Sequence, residues 1–168
     1  MPSLKGLNWG CSGLNELLRV FLLSLLPTFE GRYAIVYGIG KGYPLYETLI
    51  VASLGVLILS LVLPITLPYL DKLMLWLEKT PLEKIARLYL YYVERVRKKA
   101  HPYVERWGFL GLTIFVAIPL PGTGIWTGAL AAYLLGIEKR MAVPALILGG
   151  LLSMAITLIP SLGVFVLS

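Results

Sequence analysis

The sequence predicts an all-α polytopic membrane protein, and three features of the chain support this fold class. Of its 168 residues, 58% are hydrophobic and 14% are charged, whereas soluble domains have about 45–50% apolar and about 25% charged residues. The mean hydropathy is +0.81. Two uncharged stretches, residues 48–70 and 141–167, exceed the roughly 20 residues that a helix needs to cross a bilayer. This composition argues against a soluble enzyme, a disordered chain and a nucleic-acid-binding domain.

The first apolar region, residues 12–42, is interrupted near its middle. A mainly apolar run ends at Pro27, and a second short run ends at Gly40. A helix of about 13 residues reaches only about 20 Å, which enters the roughly 30 Å hydrocarbon core without crossing it. Proline and glycine at the break prevent one continuous helix. We therefore predict a re-entrant helical hairpin, with a single kinked span as the alternative.

A transmembrane helix and a basic amphipathic helix follow the first hairpin. Residues 46–70 form the first predicted span. Residues 71–106 carry nine Lys and Arg side chains against five Asp and Glu, and a capping box at residues 80–83 (TPLE) indicates a helix start. Pro102 is expected to end or bend this helix. An apolar stripe and clustered bases predict that the helix lies along the cytoplasmic membrane face. The stripe comprises Leu82, Ile85, Tyr89, Tyr92 and Val96.

The second half of the chain repeats the layout of the first half. Residues 107–138 contain two short apolar runs separated by a break at residues 119–124, and residues 141–167 form a second predicted span. If the basic helix is cytoplasmic, the first hairpin opens outward and the second opens inward. We therefore predict one membrane domain, residues 1–168, built from two inverted-topology repeats. Each repeat is a re-entrant hairpin followed by a transmembrane helix, as in many secondary transporters.

Glu30 and Arg32 are unusual charges because they lie in the first break, between two apolar helices. Ionisable groups at membrane depth are costly and often indicate a substrate or proton path. Arginine suits phosphate or carboxylate recognition, and desolvation can raise the pKa of a glutamate toward neutrality. We predict that both residues bind substrate and that Glu30 is the proton-coupling carboxylate. The alternative is a structural ion pair at the tip of the hairpin.

The second break supplies the rest of the predicted site. The helix that follows it offers free backbone N–H groups and the positive end of its dipole. Glycines at this break allow a ligand or another chain to come close. A tightly packed turn without a ligand is the alternative. The predicted substrate-binding residues here are Pro121, Gly122, Thr123, Gly124, Trp126 and Thr127.

The chain offers few residues for catalysis or metal binding. Cys11 is the only cysteine and His101 the only histidine, so zinc clusters and histidine-dependent triads lack their residues. We expect no enzyme, no metal, no cofactor and, without a recognisable motif beside the basic segment, no nucleic-acid partner. The lack of Gln and the low Asn content fit a thermophile. We expect a multi-pass protein of a prokaryotic cell membrane.

Three segments carry recognisable motifs, which are Pro27-x-x-Glu30-x-Arg32-x-x-Ile35, Gly108-Phe109-Leu110-Gly111 and Ile118-Pro119-Leu120-Pro121-Gly122-Thr123-Gly124-x-Trp126-Thr127-Gly128-Ala129. Together with the basic mid-chain helix, they resemble the "putative small multidrug export protein" family, a branch of the DedA/VTT membrane superfamily. Val36 is a departure, because family members often carry proline there. The resemblance implies two re-entrant hairpins that face each other. In the wider superfamily it implies proton-motive-force-linked export, polyprenyl-phosphate recycling or lipid scrambling.

We predict a transporter, flippase or scramblase that moves an amphipathic, anionic substrate, such as a polyprenyl phosphate or a phospholipid, with proton coupling. Its expected partners are membrane lipids, this substrate, protons and a second copy in a homodimer. Two alternatives remain open. One is export of small cationic drugs, in which Glu30 alone would bind the substrate. The other is a membrane scaffold or assembly factor that transports nothing and uses the basic helix for its contacts.

Overall fold

The computed structural model describes residues 11–27, 29–77, 83–120 and 123–167, and the regular elements in these ranges are all α-helices. The predicted all-α class is therefore confirmed. Within the described ranges the helices are α1 (Cys11–Leu25), α2 (Glu30–Gly40), α3 (Leu45–Leu77), α4 (Glu83–Ala117), α5 (Ile125–Leu134) and α6 (Lys139–Leu167).

Helices α3 and α6 are long and apolar enough to cross a membrane. The apolar stretches lie within Leu45–Trp76 and Lys139–Ser161, and only 44% and 39% of their most apolar windows are buried inside the protein. More than half of each window is therefore an outward apolar surface, which suits contact with lipid better than contact with water. Helix α3 passes through Pro64 and Pro68 and continues to Leu77, beyond the predicted end at residue 70.

Helix α4 excludes one of the two outcomes expected at Pro102, which is the end of the helix. The helix starts at Glu83 and continues through Pro102 to Ala117, so Pro102 does not end it. The helical geometry is lost instead at Gly108, with φ 50° and ψ −115°. An interior proline removes a single backbone hydrogen bond, whereas a positive φ cannot belong to a right-handed helix and is favourable for glycine. Residues on both sides of Gly108 therefore form two helical segments joined by a kink.

The packed face of α4 also differs from the predicted apolar stripe. In the stripe that is predicted to face the membrane, Ile85 and Tyr92 are exposed on the protein surface, whereas Val96 is buried inside the protein. Leu82 and the rest of the predicted capping box before Glu83 lie outside the described residues. Both faces have helical spacing, so periodicity alone does not distinguish them, and the smaller side chains allow the closer packing. The inward face comprises Ala86, Val93, Val96, Ala100 and Val104.

The contacts between helices are reciprocal in the two halves of the chain. Helices α1, α2 and α3 contact one another, and so do α4, α5 and α6. Across the halves, α2 packs against α6, α5 packs against α3, and the two long helices α3 and α6 meet. Each short helix therefore lies against the long helix of the other half. This arrangement places the start of α2 close to the start of α5.

Glycines allow the close approach of these helices. A Cβ atom at Gly31 would lie 2.8 Å from Met154 Sδ and 2.8 Å from Val56 Cγ2. A Cβ atom at Gly150 would lie 2.8 Å from Val56 Cγ1 and 3.0 Å from Ile125 Cδ1. Since larger side chains would collide at both positions, the small residues bring α2, α3, α5 and α6 into contact around one point.

Candidate functional site

The two breaks in the chain meet at a buried ion pair. Glu30 and Arg32 lie in the first turn of α2, and each is 4% exposed. Arg32 Nη2 lies 3.2 Å from Glu30 Oε2 and also donates a hydrogen bond to the backbone oxygen of Thr123 in the second break. Two charges lose their hydration when they are buried, so such a pair requires further hydrogen bonds to compensate. Here the second break provides them.

The Glu30 carboxylate caps the N-terminus of α5. The backbone N–H of Trp126 donates a hydrogen bond of 3.2 Å to Glu30 Oε1, and the backbone N–H of Ile125 bonds to the same carboxylate. The first N–H groups of a helix have no partner within it and form the positive end of its dipole. Gly124, which precedes α5, has no side chain to cap them. A residue 96 positions earlier in the chain therefore supplies the cap.

This contact changes the interpretation of the predicted anion site. Arg32 and the N–H groups at the start of α5 are the donors that the sequence assigns to a substrate anion. In the structure the carboxylate of Glu30 already occupies Arg32 Nη2 and the N–H groups of Ile125 and Trp126. An external anion must therefore displace Glu30 from these donors or use the remaining N–H groups of Arg32.

The backbone of Glu30 is strained. Among the described residues it is the one non-glycine residue with a positive φ, at 51°. A conformation of this kind costs about 1–3 kcal/mol and persists where the surrounding contacts hold it. The bonds from the Glu30 side chain to Arg32 and α5 are the contacts that hold it here. Strain of this kind is concentrated at sites of function, which is consistent with the predicted role of Glu30.

Thr123 organises the turn of the second break. Its Oγ1 lies 2.6 Å from the backbone oxygen of Ile118 and 2.8 Å from that of Leu120, and it accepts a hydrogen bond of 3.2 Å from the N–H of Leu120. The hydroxyl is therefore engaged with the backbone of its own turn. The part of Thr123 that reaches the ion pair is its carbonyl oxygen.

Trp126 and Thr127 connect the second break to two other helices. The indole N–H of Trp126 donates a hydrogen bond of 3.2 Å to the backbone oxygen of Leu25, the last residue of α1. Thr127 Oγ1 lies 3.1 Å from the hydroxyl of Tyr92 in α4. Both side chains therefore hold helices together at the site. Two further residues predicted for this site, Pro121 and Gly122, lie outside the described residues.

A second polar contact, which the sequence did not predict, joins α3, α4 and α5. Asp71 accepts hydrogen bonds of 3.1 Å from the hydroxyls of Tyr89 and Tyr133, one on each carboxylate oxygen. Burial, followed by the negative charge of Asp71, raises the pKa of Tyr89, so this phenol keeps the proton that it donates. The sequence feature that could have indicated this contact is the position of Asp71 directly after the uncharged residues 48–70. Glu30 and Asp71 together hold both ends of α5.

No metal centre accompanies these polar groups in the part of the chain that the structure describes. There, no group of three or more His, Cys, Asp and Glu side chains is placed to hold a metal ion. The candidate site consists of the Glu30–Arg32 pair and the backbone groups of the second break.

The described part of the chain is all-helical, with two apolar helices of membrane-spanning length and a buried ion pair where two chain breaks meet, and these features define its class. A family model described as "Putative small multi-drug export protein" matches residues 30–156. The chain belongs to this family, which confirms that part of the predicted resemblance and is consistent with a membrane transporter. The link to the wider superfamily stays a prediction. Comparison with curated proteins and with solved structures gives no significant match.

Gly124→Ala tests how closely the second break approaches the ion pair. Gly124 has a φ of 140°, and a Cβ atom there would meet Arg32 Nη2 and both carboxylate oxygens of Glu30. We expect overpacking to lower the free energy of unfolding by about 1–3 kcal/mol beyond the cost of the backbone conformation. Unfolding in detergent micelles measures this loss.

Gly136→Ala is the matched control for this experiment. Gly136 also has a positive φ, at 69°, but nothing lies within 4 Å of the position of its Cβ atom. It therefore reports the cost of a side chain at a left-handed φ without a collision, and this cost is smaller than at Gly124, whose φ of 140° and ψ of −171° are essentially restricted to glycine. Equal destabilisation by the two substitutions would contradict the close contact at Gly124.

Proposed function

We propose that this protein is a membrane transporter in which the Glu30–Arg32 pair controls the binding of an anionic, amphipathic substrate between the two breaks. The family description supports the transport class. The observation that supports an anionic substrate is that Arg32 and the first N–H groups of α5 already hold a carboxylate. A phosphate headgroup satisfies the same donors, whereas a cation satisfies none of them. A polyprenyl phosphate or a phospholipid has this chemistry.

The topology that we propose is a pair of re-entrant hairpins in two inverted repeats. Helix α2 has 11 residues and α5 has 10, and helices of this length span about 15–17 Å, roughly half of the hydrocarbon core. The hydrogen bonds between the two breaks support hairpins that enter from opposite faces and touch at their tips. The reciprocal packing of each short helix on the opposite long helix supports an inverted repeat. Residues 71–106 would lie on the cytoplasmic side.

Side-specific cysteine labelling tests this topology. In a Cys11→Ser background, Asn15→Cys and Lys41→Cys mark the two ends of the first hairpin, and Arg106→Cys and Glu138→Cys mark those of the second. We expect an impermeant maleimide to label each pair from one face only, with the two pairs on opposite faces. Asn15→Cys and Lys41→Cys on opposite faces would show that the first region crosses the membrane and would contradict the re-entrant hairpin.

Protonation of Glu30 is the coupling step that we propose. A neutral Glu30 loses its attraction for Arg32 and becomes a weaker acceptor for the N–H groups of α5. These donors can then bind the substrate anion. When the substrate leaves and Glu30 loses its proton, the carboxylate returns to the same donors. The proton on Glu30 and the anion on Arg32 would therefore bind together and leave together.

The family description names drug export, and the second candidate is therefore the export of small drugs, which we take to be cationic because Glu30 could bind them. In that mechanism Glu30 would bind the cation, and Arg32 would have to move away from it. The contact of Arg32 with both Glu30 and the Thr123 carbonyl opposes this movement. Binding of an anionic substrate requires only that the substrate replace the Glu30 carboxylate on Arg32 and on the N–H groups of α5.

Transport of a fluorescent polyprenyl phosphate into liposomes tests the proposal. Arg32→Ala removes the charge that would bind the phosphate, and we expect it to lower the initial rate by at least about tenfold, or ~1.4 kcal/mol. Glu30→Gln removes the exchangeable proton, so we expect it to abolish the dependence of the rate on a pH gradient.

The exposed pair Glu94 and Lys98, 3.4 Å apart in α4, provides the controls Glu94→Gln and Lys98→Ala. Both should transport like wild type, because exposed ion pairs contribute little. Undiminished transport by both Arg32→Ala and Glu30→Gln would contradict the role of the buried pair. Competition by lipophilic cations, without competition by lipid phosphates, would favour drug export instead.

A further inference from the structure

Several buried polar side-chain atoms, the Thr48 hydroxyl among them, have no hydrogen-bond partner among the described residues. Nε and Nη1 of Arg32 are in this state, and so are the hydroxyls of Ser60 in α3 and Ser153 in α6. Ser60 is 0% exposed and Ser153 is 3% exposed. Buried donors of this kind are costly, and in a native structure they require a partner such as a water molecule or an ion.

Ser60 and Ser153 differ from several other hydroxyl residues in the helices of this protein, and they share their unpartnered state with Thr48, whose side chain lies against Gly38 near the end of α2. Thr113, Thr157 and Ser161 each donate a hydrogen bond to the backbone oxygen four residues earlier. This is the usual partner of a serine or threonine inside a helix. Since Ser60 and Ser153 do not make this bond, their hydroxyls are available to a partner outside their own helices.

Both serines lie close in sequence to residues that contact the start of α2 at Gly31. Gly31 packs between Val56 of α3 and Met154 of α6, at 2.8 Å from a side-chain atom of each. Ser60 lies one helical turn after Val56, and Ser153 directly precedes Met154. The long helices α3 and α6 also contact each other. The two serines therefore belong to the segments of α3 and α6 that pack around the start of α2.

The chemistry of these groups selects an anion. The N–H groups of Arg32 can only donate hydrogen bonds, and serine hydroxyls can donate as well. The carboxylate of Glu30 is already paired with Arg32 Nη2 and the start of α5. A set of unpaired donors around a fixed positive charge is complementary to the oxygens of a phosphate group.

We propose that Ser60, Ser153 and the Nε and Nη1 atoms of Arg32 line a hydrated binding site for a phosphate group. The site adds a residue from each long helix to the Glu30–Arg32 pair. Its ligand is the phosphate headgroup of the substrate that we propose. The transport role of this site rests on the proposed function. Phosphate binding itself can be measured without transport.

Thiol accessibility tests the site. In a Cys11→Ser background, Ser60→Cys and Ser153→Cys keep nearly the size of the side chain, and Ala52→Cys and Ala145→Cys are the matched controls. Ala52 lies in α3 and Ala145 in α6, and both are 0% exposed. The reagent is the water-soluble anion 2-sulfonatoethyl methanethiosulfonate. We expect S60C and S153C to react at least about tenfold faster than the controls, because water and anions reach a hydrated site and not a packed apolar one.

Protection from the reagent identifies the ligand. We expect inorganic phosphate or farnesyl phosphate to slow the reaction of S60C and S153C, and Arg32→Gln to remove this protection. Protection by inorganic phosphate indicates a free anion, and protection by farnesyl phosphate alone indicates a lipid headgroup. Reaction no faster than in the controls, no protection by either phosphate, or protection by tetraphenylphosphonium instead would each overturn the proposal.

A thermal measurement on folded wild type guards against misfolding of the cysteine variants. A ligand that binds the native state raises its melting temperature. We therefore expect the phosphate compound that protects the thiols, inorganic phosphate or farnesyl phosphate, to raise the melting temperature of wild type. The increase should be smaller for Ser60→Ala and for Ser153→Ala. Equal stabilisation of all three proteins would overturn the proposal. Protection of the thiols by phosphate without transport would contradict the proposed function but not the phosphate site. Transport without thiol reactivity would contradict the phosphate site alone.

Discussion

A carboxylate and a guanidinium are buried together where two interrupted helices meet, and they connect the first break of the chain to the second. Glu30 binds the first N–H groups of α5, and Arg32 binds the carbonyl oxygen of Thr123. Removing one partner of a buried pair leaves an uncompensated charge, which costs about 3–5 kcal/mol. Gly124 lies against both charged groups and leaves no room for a side chain. Burial of the ion pair therefore requires a glycine at position 124 as well as the two charged side chains.

Each break in the chain is completed by residues of the other half. An interrupted helix in an apolar setting exposes backbone N–H and C=O groups that need partners. The second break receives Arg32 on a carbonyl and Glu30 on the N–H groups of α5. The first break receives the indole N–H of Trp126 on the carbonyl of Leu25. These reciprocal bonds explain how two short helices can start deep within the protein.

The sequence predicts the features that depend on local composition. Uncharged runs indicate α3 and α6, and charges between apolar runs single out Glu30 and Arg32. The sequence does not predict features that depend on contacts between residues far apart in the chain, such as the capping of α5 by Glu30. Pro102 and Gly108 are both local signals for a break in α4, and only the fold shows that the break is at Gly108. The sequence also does not predict the contacts of Asp71 with Tyr89 and Tyr133, because these residues are far apart in the chain.

A double-mutant cycle tests most directly whether Glu30 and Arg32 act as one buried ion pair. The free energy of unfolding in detergent micelles would be measured for wild type, Glu30→Gln, Arg32→Gln and the double variant. We predict a coupling energy of about 2 kcal/mol or more. The same cycle on the exposed Glu94–Lys98 pair should give about 0.3–0.5 kcal/mol. A coupling energy for Glu30 and Arg32 no larger than that of the exposed pair would contradict this account.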